Sequence, residues 1–151
     1  MRIYHGADLR KGRFSETDRP YLITTVTRDR RPLFRDWRVG RLLVGQLRAA
    51  TLNGHAETMA WVVMPDHLHW LMAPGSESVD AVIRRVKSHS ARTINQQMGT
   101  NGPVWQKGYH DHALRKDEDI RAVARYIIAN PLRAGMVSRI GDYPLWDATW
   151  L

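Results

Sequence analysis

Two histidines stand one residue apart inside an otherwise apolar stretch, Trp61-Val-Val-Met-Pro-Asp-His67-Leu-His69-Trp-Leu-Met72. In an extended strand, residues i and i+2 point to the same face, so His67 and His69 project side by side. Two imidazoles at that spacing can chelate one divalent ion and leave positions open for a third ligand and a substrate oxygen. A single histidine here would read as a packed core residue. Two alternating ones among large apolar neighbours each need a polar partner once buried, which points to a metal site. A pair is not a complete shell, and a third donor has to come from elsewhere in the chain.

The segment Arg125-Tyr126-Ile-Ile-Ala-Asn130-Pro-Leu-Arg133-Ala-Gly135 offers one. Its apolar stripe runs through Ile120, Val123, Ala124, Ile127 and Ile128. At helical spacing Tyr126 falls roughly 130° from the centre of that stripe, with Asn130 four residues on along the same flank. Core packing therefore does not explain either position. Taken alone, the two residues read first as a rim aromatic and a helix C-cap before Pro131, and only second as a nucleophile and a metal ligand.

Around these residues the elements follow from local pattern. Tyr21 to Thr27 is β-branched and aromatic and predicts a strand, followed by a charged turn at Arg28–Arg31 with Pro32. Asp36 can cap a helix to about Leu52, with Val39, Leu42, Leu43, Leu47 and Ala50 inward, and Asn53-Gly54 stops it. Met59–Met64 and Leu68–Met72 form a hairpin reversing at Pro65-Asp66. A second helix runs from about Ser78 to Met98, with Val79, Val82, Ile83, Val86 and Ile94 inward and Arg84, Arg85, Lys87 and Arg92 as a solvated outer face. Val104 to Leu114 is extended, and a last helix from about Asp117 to Ala129 stops before Pro131. The order β-α-β-β-α-β-α predicts an α+β fold: a ferredoxin-like, split βαβ antiparallel sheet with helices on one face and an added C-terminal helix.

Composition narrows the partners. The chain of 151 residues has no cysteine, so disulfides and thiolate metal sites are excluded. It fits one domain, residues 1–151, in which 1–20 form a basic arm. The formal charge is +8 with a pI near 10.4, and 19 of the 23 cations are arginine, whose planar fork suits phosphate oxygens. That balance points to a nucleic-acid partner. No signal core and no run of membrane-spanning length is present, so a cytoplasmic, non-membrane protein is expected.

Three strings in series carry a resemblance: Met-Pro-Asp-His-Leu-His, the Trp105-Gln106-Lys-Gly-Tyr109 segment, and Tyr-Ile-Ile-Ala-Asn-Pro-Leu-Arg-Ala-Gly. From Tyr21 to Trp146 the chain resembles the REP-associated tyrosine transposases, a branch of the single-tyrosine HUH transposases. The resemblance implies that His67 and His69 are the HUH pair, Tyr126 the nucleophile and Asn130 the residue completing the metal shell. Asn four residues after the tyrosine fits this branch, whereas other branches carry glutamine. Asp66 stands where the family often has Asn or Glu, and is not assigned to the metal.

The implied reaction is attack of Tyr126 on a DNA phosphodiester, leaving a 5′-phosphotyrosine and a free 3′-OH. Two imidazoles and an amide are neutral, so the implied cofactor is Mg²⁺ or Mn²⁺ recruited with the DNA phosphate. The implied substrate is single-stranded or hairpin DNA, gripped by basic side chains and aromatic stacking. Arg10, Lys11, Arg13, Arg28, Arg30 and Arg31 are the candidate basic contacts, and Trp105 and Tyr109, with Trp70, the candidate stacking surfaces, although each aromatic taken singly reads first as a core residue. His110 and His112 read as DNA or backbone contacts. The protein is expected to work as a monomer or homodimer. Two other readings remain at this stage: a non-catalytic nucleic-acid-binding module on the same fold, and a metal phosphodiesterase that activates water.

Overall fold

The side chains of β1 (Tyr21–Val26) alternate buried and half-buried, the period-two pattern of a strand at the centre of a sheet. The computed structural model describes residues 19–115 and 118–149. Two long strands, β2 (Ala56–Met64) and β3 (His67–Pro74), form the expected hairpin around Pro65 and Asp66. Both are longer than the apolar pattern predicts, and β3 begins at His67 itself. With β4 (His110–Ala113) and β5 (Trp146–Ala148) they make one sheet of order β4-β1-β3-β2-β5, whose pairings are all antiparallel. The first four strands have the split βαβ order, so the ferredoxin-like expectation holds. The edge strand β5 is an addition that its three residues do not announce.

Helices α1 (Trp37–Leu52) and α2 (Val79–Met98) lie where the periodicity places them. Asp36 caps α1 by accepting from the Arg38 amide, and Ser78 caps α2 by accepting from that of Ala81. Gly99 ends α2 at φ 65°, a left-handed conformation that glycine adopts without a Cβ penalty. The indole of Trp70 donates to Thr58 Oγ1 at 3.0 Å, and that hydroxyl lies 2.8 Å from Thr51 Oγ1 on α1. The Leu68, Trp70 and Met72 face of β3 is therefore the face that α1 and α2 cover.

On β2, residues 60–64 are all buried, which requires cover on both faces. The second cover is α3 (Ile120–Ile128), which packs against β2 through a stripe containing Ala124, Ile127 and Ile128. It starts three residues later than the sequence predicts, at a cap made by Asp119. The chain turns at Ala129 and restarts as a single turn, α4 (Asn130–Arg133), with Pro131 in its first turn, where a missing N–H is harmless.

The stretch 104–109, expected to be extended, is a loop tied down from α2. Lys87 Nζ donates to the carbonyls of Gln106 and Gly108 at 2.7 and 2.6 Å, so it is not part of a solvated face. Burial pushes its ammonium below the usual lysine range. Arg85 is also engaged, bridging Glu77 at 2.6 Å and His55 at 2.9 Å, while Arg84 makes an exposed ion pair with Asp80. Among the described residues no helix is long and apolar enough to cross a membrane.

Candidate functional site

β3 places His67 and His69 on the face opposite Trp70, in register with Val26 and Thr24 of β1 and with Met64 and Val62 of β2. Their ring centroids are 4.8 Å apart and the rings meet edge to face at 79°. Each Nδ1 has a partner supplied by the fold. That of His67 lies 2.7 Å from Asp66 Oδ1, and that of His69 lies 2.8 Å from Thr24 Oγ1. An ionised carboxylate can only accept, so the proton of this bond sits on His67 Nδ1, and in the neutral ring the lone pair is then on Nε2. The Thr24 hydroxyl can accept from His69 in the same tautomer. Such outer partners fix the orientation of metal-binding imidazoles.

Asp66 is itself held from the other side by Arg30 Nη1 at 3.1 Å. Burial pushes its carboxyl up, but the bonds from His67 and Arg30 outweigh this and leave it below the usual carboxylate range. His69 is displaced further. Burial first, then the nearby charges of His67 and Arg133, bring its pKa down to about 4. It is thus neutral near pH 7, the form in which imidazole ligates. Among the described residues no third His, Asp or Glu joins the pair as a cation cluster.

Tyr126 projects from α3 and is 65% exposed, as its angle from the apolar stripe predicts. The guanidinium carbon of Arg133 stands 4.0 Å from the centre of its ring. Asn130 sits half-buried at the corner between α3 and α4, and its Nδ2 donates to the Ile127 carbonyl at 2.8 Å. This capping bond commits the amide nitrogen and leaves Oδ1 as the end suited to a hard cation. Its recorded hydrogen bond is to Ile127 and not to either histidine. The structure thus brings together His67 with His69, and Tyr126 with Arg133.

The candidate DNA contacts divide. Arg10, Lys11 and Arg13 lie outside the described residues. Arg28, Arg30 and Arg31 are exposed beside the β2–β3 turn, where Arg30 is engaged with Asp66 and Arg31 donates to the Pro103 carbonyl at 2.8 Å. Trp105 is a correction: it is 7% exposed, packs against Phe34 at 5.6 Å, and donates from its indole to Ser90. Trp70 is fully buried on the helix-covered face. Neither ring presents a face for stacking, because both fill the core between sheet and helices. Tyr109 is half-buried, its hydroxyl donating to Asp80 Oδ1 at 3.1 Å. His112 is buried 3.3 Å from Glu118, and burial lowers its pKa despite that carboxylate. His110 is exposed and directly opposite Thr24, on the face that carries His69.

Sequence reasoning does not single out Thr24, the role of Asp66, or Arg133. A carboxylate beside a metal-type histidine is a readable signal for Asp66. Thr24 needs the strand register, which no local pattern supplies.

Comparison with known proteins places this geometry in a family. The family model described as "Transposase IS200 like" matches residues 17–130. A REP-associated tyrosine transposase of Escherichia coli is 30% identical over 90 residues, which are 58% of this chain and 52% of that protein. A Haemophilus influenzae protein named for the same group is 30% identical over 99 residues, 58% of this chain and 56% of its own. The chain spans about half the length of these curated relatives. A solved structure of a REP-associated tyrosine transposase bound to a REP hairpin shares the fold, with a TM-score of 0.72 at 24% identity over 97% of this chain and 82% of that one. A crystal structure from Deinococcus radiodurans described as a transposase has a TM-score of 0.54 at 26% identity, over 80% of this chain and 96% of that one. The chain belongs to the IS200-like transposase family, and the two curated relatives described above carry the name REP-associated tyrosine transposase.

Proposed function

We propose that this chain nicks single-stranded DNA next to a hairpin and transfers the strand through a covalent bond to Tyr126. One observation carries the reading. Two histidines on one sheet face have their Nδ1 atoms engaged by Asp66 and Thr24, which in the Nδ1–H tautomer leaves both Nε2 atoms for a cation. The Nε2 atoms of His67 and His69, with Oδ1 of Asn130, would hold Mg²⁺ or Mn²⁺, since among the described residues no third acidic or imidazole ligand stands beside the pair. Such an ion, when bound, would polarise the scissile phosphate and stabilise charge on the departing oxygen.

The chain's own residues do the rest. Tyr126 stands exposed on α3 and can reach a bound strand without rearranging the core. Its Oη forms a bond to phosphorus as the bond from phosphorus to the 3′ oxygen breaks. The phenol gives up its proton, and the 3′ oxygen takes one and leaves as a free hydroxyl. The aryl phosphodiester conserves the bond, so a 3′-OH can later reseal the strand by the reverse attack. Arg28, exposed beside the β2–β3 turn, and the neighbouring Arg30 and Arg31 supply positive charge along the path of the strand. Hairpin DNA is the favoured substrate because a relative of the same fold is described with a REP hairpin bound.

The test is to incubate labelled hairpin oligonucleotides bearing single-stranded flanks with the protein and Mn²⁺. A covalent adduct on denaturing gels is expected, absent in Tyr126→Phe and in His67→Ala. Cleavage that survives Tyr126→Phe would assign the reaction to water and sink this reading.

A further inference from the structure

Among the described residues the structure sets one cation, Arg133, over the ring of the exposed Tyr126, and the sequence motif that contains it does not say what it does there. It lies on α4, past the corner at Ala129, and reaches back until its guanidinium carbon is 4.0 Å from the Tyr126 ring centre. Its side chain is exposed, and no carboxylate of the described residues is paired with it. A cation held over a π face spends none of its N–H donors, so the planar fork stays available to oxygen acceptors. One guanidinium on α4 therefore contacts the ring of a tyrosine on α3.

We propose that Arg133 is a catalytic residue that takes the scissile phosphate in its N–H fork and holds it against Tyr126 for attack. This rests on the proposed tyrosine chemistry. Guanidinium binds a phosphate through two parallel N–H bonds, which fixes orientation as well as charge. A phosphate so held brings a non-bridging oxygen to the fork and turns phosphorus toward the aryl oxygen beneath. Arginine also suits the product, because the phosphotyrosine diester keeps one negative charge beside the same ring.

The test uses the full chain, Mn²⁺ and the hairpin oligonucleotide cut by the wild type, under single-turnover conditions with saturating protein. Arg133→Gln is expected to slow cleavage by roughly tenfold to a hundredfold, the loss typical of a charge-assisted contact. Arg133→Lys is expected to recover only part of that loss, since it keeps the charge but not the fork. A thermal melt within a few degrees of wild type establishes that each variant is folded.

The decisive arm replaces the phosphate at the cut position with an uncharged methylphosphonate and measures oligonucleotide binding by anisotropy without metal. Wild type is expected to bind this oligonucleotide several-fold more weakly than the natural one, and Arg133→Gln to bind the two alike. Equal sensitivity of both proteins to the methylphosphonate, or cleavage by Arg133→Gln within twofold of wild type, would overturn the proposal while the tyrosine reading stands. If wild type cuts through water, with Tyr126→Phe fully active, the tyrosine reading fails and this proposal falls with it.

Discussion

Thr24 on β1 and His69 on β3 face each other across the sheet, their Oγ1 and Nδ1 2.8 Å apart. Thr24 is the β1 residue in direct register with His69, which brings its hydroxyl to that ring atom. Removing it in Thr24→Val keeps the shape of the side chain and strips the half-buried imidazole of its partner. A stability loss of about 1–2 kcal/mol is expected from the unpaired group. Mn²⁺ affinity should fall by roughly tenfold to a hundredfold, as for other outer partners of ligating histidines. Calorimetric titration with Mn²⁺ and a denaturant melt read the two effects separately, and unchanged Mn²⁺ affinity would detach Thr24 from the site.

Asp66 predicts a graded pair of effects. Asp66→Ala releases the His67 Nδ1 proton and should weaken Mn²⁺ binding by roughly tenfold or more. Arg30→Gln removes only the outer end of the chain, an ion pair whose arginine is 65% exposed, and should change stability by less than about 1 kcal/mol. Two-dimensional ¹H–¹⁵N spectra of the imidazoles should show His67 as the Nδ1–H tautomer in wild type and a mixture in Asp66→Ala. A pure Nε2–H tautomer in wild type would refute the arrangement.

The depressed pKa of His69 has a definite sign. Burial, then the charges of His67 and Arg133, place it at about 4 in the native state against 6.5 for a free side chain. As pH falls below about 6.5 the unfolded chain takes up the proton first, so stability is lost from there down to about pH 4 and the effect then levels off. The full shift corresponds to about 3 kcal/mol at most. Denaturant melts of the metal-free protein between pH 7.5 and 4 should therefore be flatter for His69→Gln than for wild type. Parallel curves would contradict a neutral native His69.

Trp105 separates a packing role from a DNA role. Its ring is buried against Phe34 and its indole donates to Ser90. Trp105→Ala should destabilise the fold by about 3–5 kcal/mol, lowering Tm by roughly 10 °C. Trp105→Phe, which keeps most of the volume, should retain DNA binding once folded. Loss of binding by a fully stable Trp105→Phe protein would restore the stacking role.

Much of this architecture is legible in the chain because its elements are strongly periodic. The α1 and α2 stripes, the caps at Asp36 and Ser78 and the Pro65-Asp66 reversal all agree with one another, and the split βαβ order follows. The exposed position of Tyr126 also follows from helical angle alone. What escapes the sequence depends on tertiary register. Trp105 and Trp70 have the same composition signal whether they stack on bases or fill a core. β5 is three residues long, too short for periodicity to register, and is held by pairing with β2. Lys87 looks like one more charge on an outer helix face until the loop at Gln106–Gly108 folds over it.

The strands that flank the tyrosine helix in sequence, β4 and β5, lie at opposite borders of the sheet. The chain leaves one border, crosses the histidine face as α3 and α4, and is sewn back into the other. Tyr126 is thus carried on a strap fastened at both ends, with Tyr143 adding a rivet by donating its hydroxyl to the Val63 carbonyl. The two borders of the sheet thereby limit where the tyrosine helix can lie across the histidine face.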